Sequence, residues 1–300
     1  MTFSIGLDIG GTKIAGAVFD TSNKLLAEKT VPTPTAYDDF LLACGALIEL
    51  FDKACGKKAS LGLGIAGAIN QEHGTVFAPN LPFLENRSLR ADAEKKFGRT
   101  VHIANDADCA ALSEALDGAG KDYRTVFGLI MGTGVGGGLV VDKKIYQGIH
   151  GLAGEIGHLP LPFREDPDGP LVDCGCGQKG CIDKSLSGPA LTRLYKMMVG
   201  KDASAEQIAD LVKQGDVDAR RVLDRFYTVA AKAMITIIHA FDPEIVIVNG
   251  GLIDLPGFYV EVPKRCGRYA LNKNLRTKLV PAKFGTLSGI MGAARLAQLF

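Results

Sequence analysis

Four residues in the second half of the chain have the types and spacing of a metal site: His158, Cys174, Cys176 and Cys181, a H-x15-C-x-C-x4-C pattern. One imidazole and three thiolates satisfy tetrahedral Zn2+, and a shell made wholly of protein ligands marks a structural ion. Gly175, Gly177 and Gly180 let the chain fold back sharply between them. As unpaired loop thiols the same residues would oxidise. Glu155 precedes His158 by three residues and Asp183 follows Cys181 by two. With a metal on one imidazole nitrogen, the other becomes a directed donor. Carboxylates beside it make a rigid hydrogen-bonding set suited to a polyol such as a sugar. Taken singly, each carboxylate also fits an ordinary surface loop.

Two glycine-rich turns carry the second chemistry. Gly6 to Gly11 has P-loop spacing, but Thr12-Lys13 reverses the required Lys-Ser/Thr order, so a P-loop is excluded. Gly132, Gly134 and Gly137 satisfy G-x-G-x-x-G, yet a strand-like LVVD follows where a dinucleotide fold needs a helix. What remains is a strand-turn-strand bend without bulky side chains, whose N–H groups can approach phosphate oxygens. Thr12 and Thr133 add hydroxyls and Lys13 a charge. An ordinary turn requiring positive φ would look the same; two such turns with Gly-Thr at matching places favour phosphate binding.

Asp8 lies among apolar residues at a strand end, where an unpaired charge is costly. A Mg2+–nucleotide complex would neutralise it, and an Asx turn over residues 10–12 would also satisfy it. Asn105-Asp106 sits where a strand gives way to a helix. Both residue types are preferred N-caps. The same place, beyond the carboxyl end of a strand, is where open α/β sheets bind ligands, and a carboxylate there can take a hydroxyl proton.

The elements that must position these groups follow from apolar periodicity. Strands are expected at 3–9, 13–19 and 24–31, a helix at 37–55, a strand at 61–69, a hairpin turn at 73–75, a strand at 101–104 and a helix at 105–116. The pattern restarts with strands at 125–131 and 137–142, a hairpin turn at 142–144 and a third strand at 145–148. An irregular stretch fills 149–183. Helices at 187–199, 204–213 and 216–241, a buried strand at 244–251 and a helix at 288–299 complete the chain. Segments 8–20 and 131–143 repeat one design, a glycine turn between apolar strands. The repeat predicts two similar α/β domains around a cleft, 1–118 with the helix at 288–300, and 119–287.

Composition narrows the function. Lys+Arg number 34 against 33 Asp+Glu, so no basic excess speaks for nucleic acid, and 47% apolar residues rule out disorder. The apolar stretches at 229–241 and 245–248 are too short to span a bilayer, and Lys232 interrupts the first. MTFSIGLDIGG lacks the features of a signal peptide. Seven Cys, three of them within eight residues, fit a reducing compartment. A soluble cytoplasmic protein with no membrane or nucleic-acid partner is expected. Cys44, Cys55, Cys109 and Cys266 read as packing residues, and His73, His102, His150 and His239 receive no role.

With DIGGTK at 8–13, ND at 105–106, GTGVGGG at 132–138, GEIGH at 154–158, CGCGQKGC at 174–181 and GG at 250–251, the chain resembles the ROK family: repressors, open reading frames and sugar kinases of the actin-like ATPase (ribonuclease H-like) fold. The motifs occur in the family's order over nearly the whole chain. Softer stretches (31–41, 73–82, 174–188 and 241–252) are closest to the branch acting on N-acetylglucosamine. The resemblance implies an ATP- and Mg2+-dependent sugar kinase with structural zinc, phosphorylating the C6 hydroxyl, with glucose or another hexose as the alternative. It implies Asp106 as catalytic base and Asn80, Asn105, Asp106, Glu155, His158 and Asp183 as sugar contacts. The ATP loops would be Gly6, Leu7, Asp8, Ile9, Gly10, Gly11, Thr12 and Lys13, then Gly132, Thr133, Gly134, Val135, Gly136, Gly137, Gly138 and Leu139, with Gly250 and Gly251. Both turns would converge on one triphosphate. A homodimer is also in keeping with the family. A sugar-sensing repressor of the same family would need a helix-turn-helix ahead of residue 6. Two positions depart from the family pattern: Asp183 stands for its usual Glu, one methylene shorter, and Ala66 for its usual Pro.

Overall fold

The computed structural model describes residues 3–70 and 72–299. Contacts divide the chain into two compact units: Met1–Lys121 with Gly138–Ala153 and Thr286–Phe300, and Asp122–Gly137 with Gly154–Gly285.

The first unit begins with β1 (Ser4–Ile9), β2 (Lys13–Phe19), β3 (Leu25–Pro32), α1 (Tyr37–Cys55) and β4 (Ser60–Ile65). A short hairpin, β5 (Ala68–Ile69) with β6 (Val76–Phe77), precedes α2 (Leu89–Phe97), β7 (Val101–Asn105) and α3 (Asp106–Leu116). The sheet runs β3-β2-β1-β4-β7; β1, β2 and β3 are antiparallel neighbours, whereas β1, β4 and β7 are parallel. Strand alternation gives this sheet two unlike faces. Ile5, Leu7, Ile9, Leu61, Leu63 and Ile65 join Phe40 and Phe51 of α1 in one apolar core. The intervening residues of β1 and β4 include Gly6, Asp8, Gly62 and Gly64. Against that glycine face lies α9 (Ser288–Leu296). A Cβ on Gly6 would overlap Ile290 O, one on Gly62 would overlap Ala293 O, and one on Gly292 would overlap Cys109 O of α3. The helix therefore rests backbone to backbone on the sheet.

The second unit contains β8 (Thr125–Met131), the start of β9 (Val135–Val141), α4 (Asp183–Leu186), α5 (Gly188–Val199), α6 (Ala205–Lys213), α7 (Val217–Phe241), β11 (Ile245–Asn249), α8 (Phe258–Cys266) and β12 (Lys278–Pro281). With β10 (Lys144–Ile145) the sheet order is β10-β9-β8-β11-β12, and β11 is parallel to both β8 and β12. Buried Lys232 of α7 binds Asp168 at 2.8 Å and Glu165 at 3.2 Å, pinning the segment before the cysteines. A buried charge holds such a place only when paired in this way.

The structure departs from the sequence reading at definite places. The strand expected at 61–69 is two strands, broken at Gly67, where a Cβ would stand 2.8 Å from Ala78 Cβ. The strand expected at 145–148 ends at Ile145. Residues 138–153, expected in the second domain, cluster with the first unit. Gly138 packs there against α3, with Ala107 O only 2.6 Å from where a Cβ would sit, and Lys143 Nζ donates to Ala115 O at 2.8 Å. α2, α8 and β12 went unread: α2 is a charged segment burying only Leu89 and Ala93, α8 contains Pro263, and β12 is four residues ending in Pro281. No helix among the described residues is long and apolar enough to cross a membrane.

Two glycine substitutions separate contact from propensity. Gly62→Ala should destabilise the protein by about 1–3 kcal/mol in urea unfolding, because backbone cannot yield as a side chain can. Gly45→Ala, in α1 with only ordinary contact to Phe97 at 3.5 Å, should stabilise it by about 0.5–1 kcal/mol. Similar shifts for the two would contradict the packing described for α9.

Candidate active site

In the first unit the site grows from the carboxyl ends of β1 and β7. Asp8 pairs in register with Gly64, and Gly64 with Ala104. A Cβ on Gly64 would lie 3.8 Å from Asp106 Cα and 3.3 Å from Cys109 Sγ, so a bare strand lets α3 lie close. The first turn of α9 reaches Asp8 as well; a Cβ on Gly289 would be 2.9 Å from Asp8 Oδ2.

Of the Asn105-Asp106 pair, it is the first residue that caps the helix. Asn105 is the N-cap of α3: its Oδ1 accepts from Ala107 N at 2.7 Å and Asp108 N at 3.3 Å, and its Nδ2 donates to Gly67 O at 3.0 Å. Asp106 is thereby the first helical residue, with Oδ1 accepting from Ala107 N at 2.8 Å. It keeps some accessible surface yet is ringed by protein, and this desolvation raises its pKa. Asp8 is raised from the ordinary 3.8 to about 7, first by burial and then by the charge of Asp106, against an opposing pull from Lys13. Two carboxylates whose ionisation is disfavoured in this way fit a divalent cation, which would offset both effects.

The first glycine turn is closed by Gly10 N to Lys13 O at 3.0 Å and braced by Thr33, whose Oγ1 donates to Gly10 O at 2.7 Å. Gly11, Thr12 and Lys13 are exposed, and Asn80 O lies 3.0 Å from a Cβ placed on Gly11. Gly6, Leu7 and Ile9 lie elsewhere: Gly6 faces α9 and the two apolar side chains are in the core. Leu139 is buried too. These residues support the turns from behind.

The second unit gathers the β8–β9 turn, the cysteine knuckle and the late glycines. A Cβ on Gly250 (φ +95°) would overlap Met131 O at the end of β8, and Leu252 N donates to that same oxygen at 3.1 Å. The knuckle folds over Gly177 (φ +86°) and Gly180 (φ +74°), with Cys174 N bonded to Gln178 O at 2.8 Å. Ile182 N to Leu159 O at 2.9 Å brings it beside His158. The ligand atoms of His158, Cys174, Cys176 and Cys181 all lie within 4.8 Å of one another. Cys174 Sγ is 3.6 Å from His158 Nδ1, and Cys176 Sγ is 3.6 Å from Cys181 Sγ. Tetrahedral zinc with Zn–S about 2.3 Å spaces its ligand atoms by about 3.5–3.8 Å, the spacing of those two pairs, so the cluster could hold such an ion. Glu155 is half-buried on the same segment, which packs on the turn: Gly137 would clash with Gly154 O at 2.6 Å if it bore a Cβ. Asp183 Oδ1 accepts from Val135 N at 2.8 Å, while its Oδ2 pairs with Lys184 at 2.8 Å.

The model of the ROK family matches residues 4–299. The chain belongs to the ROK family. The N-acetyl-D-glucosamine kinase of Aliivibrio salmonicida is 40% identical over 296 residues, 97% of this chain and 98% of that protein. Among solved structures, a ROK hexokinase from Thermus thermophilus matches with a TM-score of 0.85 and 32% identity, over 99% of this chain and 98% of that one. A ROK family glucokinase from Streptomyces griseus, solved with glucose and AMPPNP, matches with a TM-score of 0.82 and 30% identity, over 99% and 100%. The fold of this ROK chain is therefore the actin-like ATPase fold. Thr33 and Lys184 were not singled out from the sequence. Nothing marks Thr33 locally, whereas Lys184 beside Asp183 is an adjacent opposite-charge pair that could have been noticed.

Because folding raises the Asp8 pKa, the folded chain holds that proton more tightly than the unfolded one. The stability this contributes is full below about pH 4 and is lost as the pH rises through about 7. Without Mg2+, Asp8→Asn should therefore melt above wild type at about pH 8, with the gap closing towards pH 4. A gap independent of pH in thermal melts would contradict this electrostatic account.

Proposed function

We propose that this chain transfers the γ-phosphoryl group of ATP to the C6 hydroxyl of N-acetyl-D-glucosamine, giving the sugar 6-phosphate and ADP. The observation that carries this reading is the 40% identity, over 97% of the chain, to an N-acetyl-D-glucosamine kinase. A glucose acceptor is the second reading, favoured by the likeness to the glucokinase from Streptomyces griseus.

Asp106 accepts the hydroxyl proton as the oxygen attacks phosphorus; a raised pKa brings a carboxylate nearer the range in which a general base works. Asn105 fixes the first turn of α3, and the hydrogen it retains beyond its bond to Gly67 O is available to a sugar hydroxyl. Asn80, Glu155 and His158 supply further sugar contacts. With His158 Nδ1 turned to the cysteines, its Nε2 is left to donate. The N–H groups of Gly11 and Thr12 in the first turn and of Thr133 and Gly134 in the second bind phosphate oxygens, and Thr12, Thr133 and Lys13 add hydroxyls and charge. Gly250 and Gly251 border the nucleotide. Asp8 would hold Mg2+, which when bound would neutralise charge developing on the phosphates. His158, Cys174, Cys176 and Cys181 would hold zinc, which fixes the ring of His158. A cytoplasmic location suits an ATP-using enzyme whose seven cysteines form no disulfide, and a homodimer is in keeping with the family.

ADP release measured with N-acetylglucosamine, glucose and N-acetylmannosamine tests the reading. We expect kcat/KM for N-acetylglucosamine to lead the others by at least about tenfold; preference for glucose would overturn the substrate, and absence of turnover with all three the activity. Asp106→Asn should lower kcat by about 100- to 10,000-fold while leaving sugar affinity within about threefold. A variant keeping most of its rate would remove Asp106 as the base.

A further inference from the structure

Asp183, one of two positions noted above as unlike the family pattern, is placed by the structure against the β8–β9 turn. Its Oδ1 accepts the Val135 N–H at 2.8 Å and its Oδ2 meets Lys184 Nζ at 2.8 Å, so both oxygens are engaged within the second unit. The residue is nearly buried, at 8% exposure. The contact depends on glycine in the turn: a Cβ on Gly134 would lie 2.7 Å from Asp183 Oδ1. A second tie runs the same way, Gly188 N donating to Gly132 O at 2.8 Å. Asp183 opens α4, the short helix that emerges two residues after Cys181, and Arg193 Nη2 braces that helix through Lys184 O. The cysteine knuckle is thus joined to both ends of the glycine turn through one helical turn.

The hydrogen bonds also sort the turn's donors. Gly132 N–H is spent on Gly134 O at 2.9 Å and Val135 N–H on Asp183. Thr133 and Gly134 are the donors left for an anion. A carboxylate that pins one end of a turn sets the direction of the N–H groups beside it, and oriented N–H groups are what bind phosphate.

We propose that Asp183 is a positioning residue for the nucleotide, holding the 132–135 turn in its phosphate-binding shape, and that it does not contact the sugar. The inference rests on the phosphoryl-transfer reading above. The shorter side chain matters because it puts the carboxylate oxygen at Val135 N while Lys184 closes the other side. A Glu at this position has one more methylene between its backbone and its carboxylate, so the acceptor is displaced from that N–H unless the side chain folds back.

The test compares Asp183→Ala, Asp183→Asn and Asp183→Glu with wild type, reading the Kd of Mg2+–AMPPNP by calorimetry without sugar, KM for ATP, KM for sugar, and melting temperature. Asp183→Ala should weaken AMPPNP binding and raise KM for ATP by about tenfold, the effect of one charge-assisted hydrogen bond, with KM for sugar within about twofold. Asp183→Asn keeps an acceptor at the same place and should recover to within about threefold of wild type. Asp183→Glu keeps the charge but moves the acceptor, and should behave like Asp183→Ala. If Asp183→Ala does not fold, the Asn and Glu pair decides by the same comparison. Nucleotide binding unchanged in the Ala and Glu variants, or a rise confined to KM for sugar, would overturn the proposal. Wild type that binds AMPPNP and phosphorylates sugar while its variants show no nucleotide defect removes this inference alone. Wild type that binds no nucleotide removes the phosphoryl-transfer reading with it.

Discussion

Asp8 and Asp106 are held close together where water is scarce, so the ionisation of Asp8 is opposed by burial and by the charge of its neighbour. Such an arrangement persists only if the surrounding chain leaves no alternative. The parallel run of β1, β4 and β7 ends with both residues on one edge, which is where open α/β sheets place ligands. Asn105 takes the capping of α3, accepting from Ala107 N and Asp108 N, while Asp106 opens the helix with one carboxylate oxygen on Ala107 N.

Within each unit, glycine is the means by which backbone packs closely against backbone and side chain. In the first unit, Gly6, Gly62 and Gly292 let α9 settle on the sheet and against α3, which carries the first turn of α9 to Asp8. In the second, Gly134 gives room to Asp183, and a Cβ on Gly157 would overlap Val135 O at the start of β9. Packing and chemistry are therefore one problem here: the close approach that stabilises the core also orients the N–H groups and carboxylates.

Much of this was legible in the sequence because it rests on spacing. The zinc-type ligand set, the glycine turns and Asp106 at a strand-helix junction are local patterns, and the structure brings the four ligand atoms together. The alternation of β1 and β4, large residues on one face and Gly6, Asp8, Gly62 and Gly64 on the other, was visible as strand but not as the seat of a helix more than 200 residues later in the chain. That pairing is tertiary, and no local signal carries it. Leu7, Ile9 and Leu139 belong to the motifs by position, yet strand alternation turns them into the interior. For Asp183, the sequence revealed the departure from the family pattern but not its partner, because Val135 lies 48 positions away.

Site-resolved carbon-13 titration of the Asp8 carboxyl, in wild type and in Asp106→Asn without Mg2+, tests the coupled carboxylates most directly. A wild-type midpoint near 7 is expected, falling in the variant but staying above the ordinary 3.8, since the neighbour's charge is removed and burial remains. An Asp8 that titrates near 3.8 in wild type, or a midpoint indifferent to the charge at 106, would contradict the account.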